Sequence, residues 1–151
     1  MIELTPEVVL EAKAKRFAAE KHIKQRYGDK PYVYHLRQVV DNVKLRMEGN
    51  PLLSTYVAVA WLHDVMEDCG VTYEELEKEF GVAIAYAVLQ LTKYSTQSYE
   101  SYIQGCINCA IAREVKICDT MANLMESFKT GNAKGLAKYP KQLHMLIEGV
   151  V

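Results

Sequence analysis

The chain has 151 residues, enough to bury one hydrophobic core and short for two, so a single domain spanning 1–151 is expected. Half of the residues are hydrophobic and a quarter are charged, a balance that excludes a disordered chain. Eighteen basic residues against 19 acidic ones give a net charge of −1, which leaves no global field to draw the protein to nucleic acid or to an anionic membrane.

Read in order, the elements are helices. The opening residues hold Glu3 and only the brief apolar run Val8-Val9-Leu10. They lack the basic region and the roughly 7–15-residue apolar core of a secretion signal, so the expected compartment is cytoplasmic. Thr5 is an N-cap, Pro6 takes the first helical position and Glu7 sits beside the positive end of the dipole, which predicts a first helix reaching about Tyr27. His22, among Lys21 and Lys24, is expected on a polar surface of it. Gly28-Asp29-Lys30-Pro31 is a loop signature, and the residue before Pro31 is biased away from helix. A second helix is predicted from near His35 to just before Gly49-Asn50-Pro51.

The segment from Leu53 to about Asp68 is apolar on nearly all sides until Trp61-Leu62, as in a central helix covered by its neighbours. Its apolar stretch is far shorter than the roughly 20 residues of a membrane span. Thr72-Tyr73-Glu74-Glu75 is a capping box, Gly81 ends the short helix that follows, and Val82 to Leu91 makes another. Tyr99 to about Cys109 and Ala110 to Phe128 read as helical, either separate or continuous. After Thr130-Gly131-Asn132, a last helix carries Leu136, Tyr139, Leu143 and Leu146 at mixed 3–4 spacing, with Gln142 and His144 on its polar face. Period-2 alternation is nowhere sustained and Asn-Gly or Asp-Gly turns are absent, so the fold class is all-α, a single helical bundle. Of four cysteines only Cys106 and Cys109 form a C-x-x-C pair. Without a second pair or a preceding strand they read as small buried side chains, not as a zinc or redox site.

Four ionisable groups interrupt the apolar helix in Trp61-Leu62-His63-Asp64-Val65-Met66-Glu67-Asp68. In a continuous helix His63 and Glu67 share a face at i, i+4, as do Asp64 and Asp68, so one helix presents all four to one cavity. A carboxylate buried there loses several kcal/mol of hydration unless a cation or hydrogen-bond donors compensate it. A divalent metal does so, and two further candidate ligands lie in similar settings. His35 follows Pro31-Tyr32-Val33-Tyr34, and Asp119 is a lone acid after Val115-Lys116-Ile117-Cys118. Two imidazoles and two carboxylates suit manganese first, then iron or zinc, with magnesium also admissible.

The order His35, then His63-Asp64, then Asp119 resembles the H…HD…D signature of the HD phosphohydrolases and covers most of the chain. His63-Asp64-Val65-Met66-Glu67-Asp68 is similar to the HDxxED motif of the RelA/SpoT-type alarmone hydrolases and their small stand-alone relatives. Arg16 through His22, Lys30 through His35, Phe80-Gly81 and Val115 through Leu124 resemble that branch as well. The resemblance implies an HD-domain helical fold and a manganese-dependent enzyme that removes the 3′ pyrophosphate from ppGpp or pppGpp. It implies His35, His63, Asp64 and Asp119 as metal ligands. Glu67 and Asp68 would orient and deprotonate the attacking water, Arg26 would stack on guanine and Asn123 would contact the nucleotide. Two departures fall on the substrate side. Leu36 stands where these hydrolases usually carry proline, and Thr120-Met121-Ala122-Asn123-Leu124-Met125 lacks the basic residues that tend to follow the last aspartate. Lys93 or Lys116 is a candidate to supply the missing charge. The alternatives are an HD nucleotidase or phosphoesterase acting on another nucleotide, and an HD module that binds a nucleotide without turnover. The intact Glu67 and Asp68 argue against a pure binder.

Overall fold

The computed structural model describes residues 3–151. Nine helices and one two-stranded ribbon make up the described chain: α1 (Pro6–Lys21), β1 (Arg26–Tyr27), β2 (Lys30–Pro31), α2 (Val33–Arg46), α3 (Leu53–Leu62), α4 (Val65–Cys69), α5 (Tyr73–Phe80), α6 (Val82–Gln90), α7 (Tyr99–Ile107), α8 (Ala110–Thr130) and α9 (Ala133–Glu148). The class is all-α, as the sequence predicts. Among the described residues no helix is long and apolar enough to cross a membrane.

Helix α3 is the centre. Every residue from Tyr56 to Leu62 is buried, because α1, α2, α6 and α8 all pack around it. Truncating Leu62 there would cost about 2–5 kcal/mol. Two polar contacts fix neighbouring layers: Asn42 Nδ2 of α2 donates to the Cys118 carbonyl of α8 at 3.0 Å, and Gln142 Nε2 of α9 donates to Thr120 Oγ1 of α8 at 2.7 Å. Gln142 also accepts from Tyr99 Oη of α7, at 2.8 Å. It is therefore buried, against the expectation of a polar surface, while His144 on the same helix is exposed as expected. Gly135 lets α9 approach α8: a Cβ there would lie 2.0 Å from Ser127 Oγ. Cys106 is buried and Cys109 half-buried, both as free thiols.

Side-chain caps set four of the nine helix starts. Thr5 Oγ1 accepts from Val8 N–H at 3.2 Å and Thr72 Oγ1 from Glu75 N–H at 3.1 Å, both where the sequence places them. Other boundaries differ from expectation. α1 stops at Lys21, not near Tyr27, and the released chain forms the β1–β2 hairpin with Arg26 paired to Pro31 and Tyr27 to Lys30. Its loop is Gly28-Asp29, with Gly28 at φ 61°, the glycine-first arrangement that matches strand twist as well as Asn-Gly does. α7 and α8 are separate helices, since Cys109 adopts an extended conformation between them.

The central correction is at His63-Asp64, where the expected continuous helix breaks. His63 Nδ1–H donates to the Ala60 carbonyl at 2.7 Å, the acceptor that an unbroken helix reserves for the Asp64 N–H. Asp64 takes φ −107° and ψ 1°, and its carbonyl starts α4 by accepting from Asp68 N–H at 2.9 Å. The i, i+4 geometry that would put His63 with Glu67 and Asp64 with Asp68 therefore does not apply. The break turns His63 and Asp64 inward and leaves Glu67 and Asp68 exposed on the new turn.

Candidate metal centre and active site

Three elements deliver the cluster. His35 comes from the first turn of α2, His63 and Asp64 from the α3–α4 break, and Asp119 from the middle of α8. His35 and His63 are each 2% exposed and Asp119 5%. One ligand atom from each of His35, His63 and Asp64 lies within 4.8 Å of the others, a set able to hold a metal ion. Asp119 adjoins it: Oδ1 is 2.8 Å from His35 Nε2 and 3.5 Å from His63 Nε2.

The donor chemistry fits a cation. Because His63 Nδ1–H is committed to Ala60 O, a neutral ring presents a bare Nε2 to the cluster, and donation of the other ring N–H to a backbone carbonyl is the usual setting of a metal-binding histidine. That buried Nε2 lies 3.0 Å from Asp64 Oδ2 yet has no well-aligned hydrogen-bond partner. Burial works against a proton on His63, but the charges of Asp64 and Asp119 outweigh it and hold the imidazole well above its ordinary range. A site that draws a proton onto a buried imidazole is short of positive charge.

Both carboxylates are held ionised. Burial would raise Asp64, but His63 and a hydrogen bond from Tyr32 prevail and lower it to about 2. Tyr32 Oη donates to Asp64 Oδ2 at 2.5 Å. Burial is likewise outweighed at Asp119, chiefly by Lys116, whose Nζ lies 3.0 Å from Oδ2, and the carboxyl is held well below the usual range. Lys116 thus points inward, its ammonium also 5.2 Å from the Tyr102 ring centroid. Lys93 does not: its Nζ donates to the Tyr94 carbonyl, at 3.3 Å.

Glu67 and Asp68 stand at the rim. Glu67 Oε1 accepts from the Lys93 backbone N–H at 2.8 Å, and among the described residues its Oε2 has no partner. Partial desolvation raises this carboxyl above its ordinary value, with Asp64 and Asp68 adding to the effect, against the Lys93 N–H and Lys116. Asp68 Oδ2 accepts from Gln25 Nε2 at 3.0 Å. Arg26 is exposed on β1, and its Nη2 donates to the Asp29 carbonyl at 2.5 Å. Asn123, one turn beyond Asp119, accepts from Tyr27 Oη at 2.7 Å and donates to Asp119 Oδ1 at 3.2 Å.

Sequence reasoning missed three contributors. Tyr27 stacks on His35, with ring centroids 4.7 Å apart and planes at 18°, and Tyr32 holds Asp64. His22 is the third: it is 3% exposed, not on the surface as expected, and packs against Tyr32. Tyr27 lies in, and Tyr32 just after, a hairpin too short to show periodicity, and the lysines on either side of His22 concealed its burial. Beside Tyr27 and Asn123 opens a cleft of about 540 Å³, reaching Asp29, Glu126, Ser127 and Tyr139 and lined by no basic residue.

No family model matches the chain. It is similar to guanosine-3′,5′-bis(diphosphate) 3′-pyrophosphohydrolase MESH1 of Danio rerio, 33% identical over 118 residues that make up 73% of this chain and 64% of the relative. It is 30% identical to the protein of the same name from Xenopus tropicalis over 131 residues, 82% of this chain and 72% of the relative. A solved structure described as a metazoan ortholog of SpoT superposes with a TM-score of 0.76, covering 99% of this chain and 90% of the other at 20% identity, which establishes the HD-type helical fold. With that likeness over most of both chains, the protein belongs to the MESH1 family of HD-type guanosine-3′,5′-bis(diphosphate) 3′-pyrophosphohydrolases.

Proposed function

We propose that this chain works as one metal-dependent hydrolase domain that removes the 3′ pyrophosphate of ppGpp or pppGpp, leaving GDP or GTP. The observation that carries the reading is the buried His63 Nε2, without a hydrogen-bond partner beside two ionised carboxylates while Nδ1–H is held by the Ala60 carbonyl. The names of the relatives supply the substrate. In this reading His35, His63, Asp64 and Asp119 hold the ion. The donor set favours manganese, with iron, zinc and magnesium as the other candidates. A bound divalent ion would acidify water and offset charge developing on phosphate oxygens.

The chain's own groups do the rest. Tyr32 and Lys116 each occupy one oxygen of a ligand carboxylate, which fixes its orientation before any substrate arrives. Glu67, anchored through Oε1, offers Oε2 to the attacking water and accepts its proton as the new bond to phosphorus forms and the bond to the 3′ oxygen breaks. Its raised pKa makes it a better base than an ordinary surface carboxylate. Asp68, held by Gln25, orients the same water. Arg26 would leave the Asp29 carbonyl to cover the guanine face, and Asn123, whose amide keeps one N–H, would contact the nucleotide.

A second reading, hydrolysis of another nucleotide at the same centre, draws on one observation. The cleft beside Tyr27 and Asn123 is lined by Asp29 and Glu126 and by no basic residue, where a highly charged alarmone would favour basic groups. The test is pyrophosphate release from ppGpp with added manganese, with Asp64→Ala as control. Release that disappears in the variant is expected. Manganese bound at one equivalent without release from ppGpp would move the assignment to other nucleotides, and absence of binding would remove the metal centre altogether.

A further inference from the structure

His22 has no place in the reading above, yet it is the one buried histidine outside the cluster. It caps the end of α1, where its ring is 3% exposed and lies against Tyr32, centroids 4.7 Å apart and planes at 30°. Its Nδ1 is 2.7 Å from Gln25 Oε1, and Gln25 Nε2 is 3.0 Å from Asp68 Oδ2. The chain of bonds has one direction. The Asp68 carboxylate only accepts, so the Gln25 amide must turn its NH₂ to it and its oxygen to His22, and His22 must carry its proton on Nδ1. Cys69 Sγ, 3.3 Å from the same nitrogen, closes the pocket from α4.

We propose that His22 and Gln25 are positioning residues that aim two of the site's acids, Asp68 and Asp64, from the end of α1. Gln25 orients the Asp68 carboxylate, and the His22 ring supports Tyr32, whose hydroxyl holds Asp64. Two observations separate this from plain core packing. Burial of a polar ring with an unpartnered Nε2 is costly, and an apolar side chain of equal volume would fill the space without that cost. In addition, Gln25 is only half-buried, so its amide is not needed to fill the core, yet both of its ends are used. A hydrogen bond relayed this way keeps a water-handling carboxylate at a fixed angle without adding charge to a site already rich in carboxylates.

The inference rests on the proposed role of Asp68 in handling water, so the test carries one readout that does not depend on turnover. Long-range proton–nitrogen NMR of the metal-free protein should find His22 protonated at Nδ1, and in Gln25→Leu that tautomer preference should be lost. His22 protonated at Nε2 in the native protein would overturn the relay whatever the enzyme does. With ppGpp and manganese, Gln25→Leu should lower kcat about 10–100-fold, the range for loss of an orienting partner. KM, manganese affinity by calorimetry and melting temperature should stay at the native values. His22→Leu, which removes the donor, should lose kcat similarly, while His22→Asn, whose amide nitrogen takes the place of Nδ1, should recover most of it. Native kcat in Gln25→Leu, or a loss in all three variants that tracks melting temperature alone, would reduce the pair to packing. Failure of the native protein to release pyrophosphate would count against the substrate assignment and leave the NMR result to decide the relay.

Discussion

The two sides of the site are built differently. On the metal side, each candidate ligand is largely withdrawn from solvent and tied down by a neighbour: His63 by Ala60 and Asp119 by Lys116, each three residues away, and Asp64 by Tyr32 and Asp119 by His35 from other elements. On the side of the cleft, Arg26 is exposed and bonded only to its own hairpin, and the acids Asp29 and Glu126 line a space that contains no basic residue. A preorganised metal side fixes the reaction type, because burial holds charges where bulk solvent cannot relax them. A loosely held cleft adjusts to its ligand, and it is where members of one fold diverge in substrate. Mutations on the two sides should therefore differ in size and in the constant they change.

The largest effect is expected on the metal side. Asp64→Ala should abolish both manganese retention and turnover. Glu67→Gln should keep one equivalent of manganese while kcat falls about 10²–10⁴-fold, the usual contribution of a general base. Calorimetry on both variants checks the division. Loss of metal in Glu67→Gln would mean that the rim acid is a ligand and that the contrast between cluster and rim is drawn in the wrong place.

That division was half legible in the sequence. The candidate ligands stood out because a lone acid such as Asp119 in an apolar helix, or His63-Asp64 after Trp61-Leu62, demands compensation for burial, and the local sequence reveals that demand. The path by which they converge was hidden. Nothing in local spacing says that the His63 imidazole will take the Ala60 carbonyl and break the helix, since that depends on a rotamer set by surrounding packing. His22 was misplaced for a related reason. Lys21 and Lys24 suggest a wet helix face only if α1 continues, and α1 ends at Lys21, so the chain turns and buries the ring between them. The hairpin escaped because two-residue strands have no period to read and its Gly-Asp loop lacks the commoner signature. Helix types and the caps at Thr5, Thr72 and Gly81 were recovered because these residues act over three or four positions, within reach of sequence, whereas the Ser98 and Asn132 N-caps were not singled out.

Lys116 tests the metal side from beneath, at intermediate size. Lys116→Met keeps most of the side-chain volume but leaves the Asp119 carboxylate buried without its strongest partner. Breaking a buried pair by removing one member costs about 3–5 kcal/mol, so the metal-free variant should melt well below the native protein. Saturating manganese should restore much of the difference, because the ion replaces the missing positive charge and binds only the folded form. Equal destabilisation with and without manganese would show that Lys116 serves the fold and not the charge balance of the centre.

Arg26→Ala probes the cleft side and should have the smallest effect. The guanidinium contributes to no core contact, so melting temperature and manganese affinity should be unchanged. If it stacks on the base once released from the Asp29 carbonyl, the interaction is that of an exposed cation–π contact, about 0.5–1 kcal/mol, which corresponds to a KM rise of roughly 2–5-fold at unchanged kcat. Arg26→Lys separates stacking from charge: a lysine keeps the charge but not the planar face, so it should resemble alanine if stacking matters and the native protein if charge does. A native KM in Arg26→Ala would place the base elsewhere. Tyr139 and Glu126, which line the cleft, would then be the residues to replace next, and its acidic lining would become a reason to look for a substrate less highly charged than ppGpp.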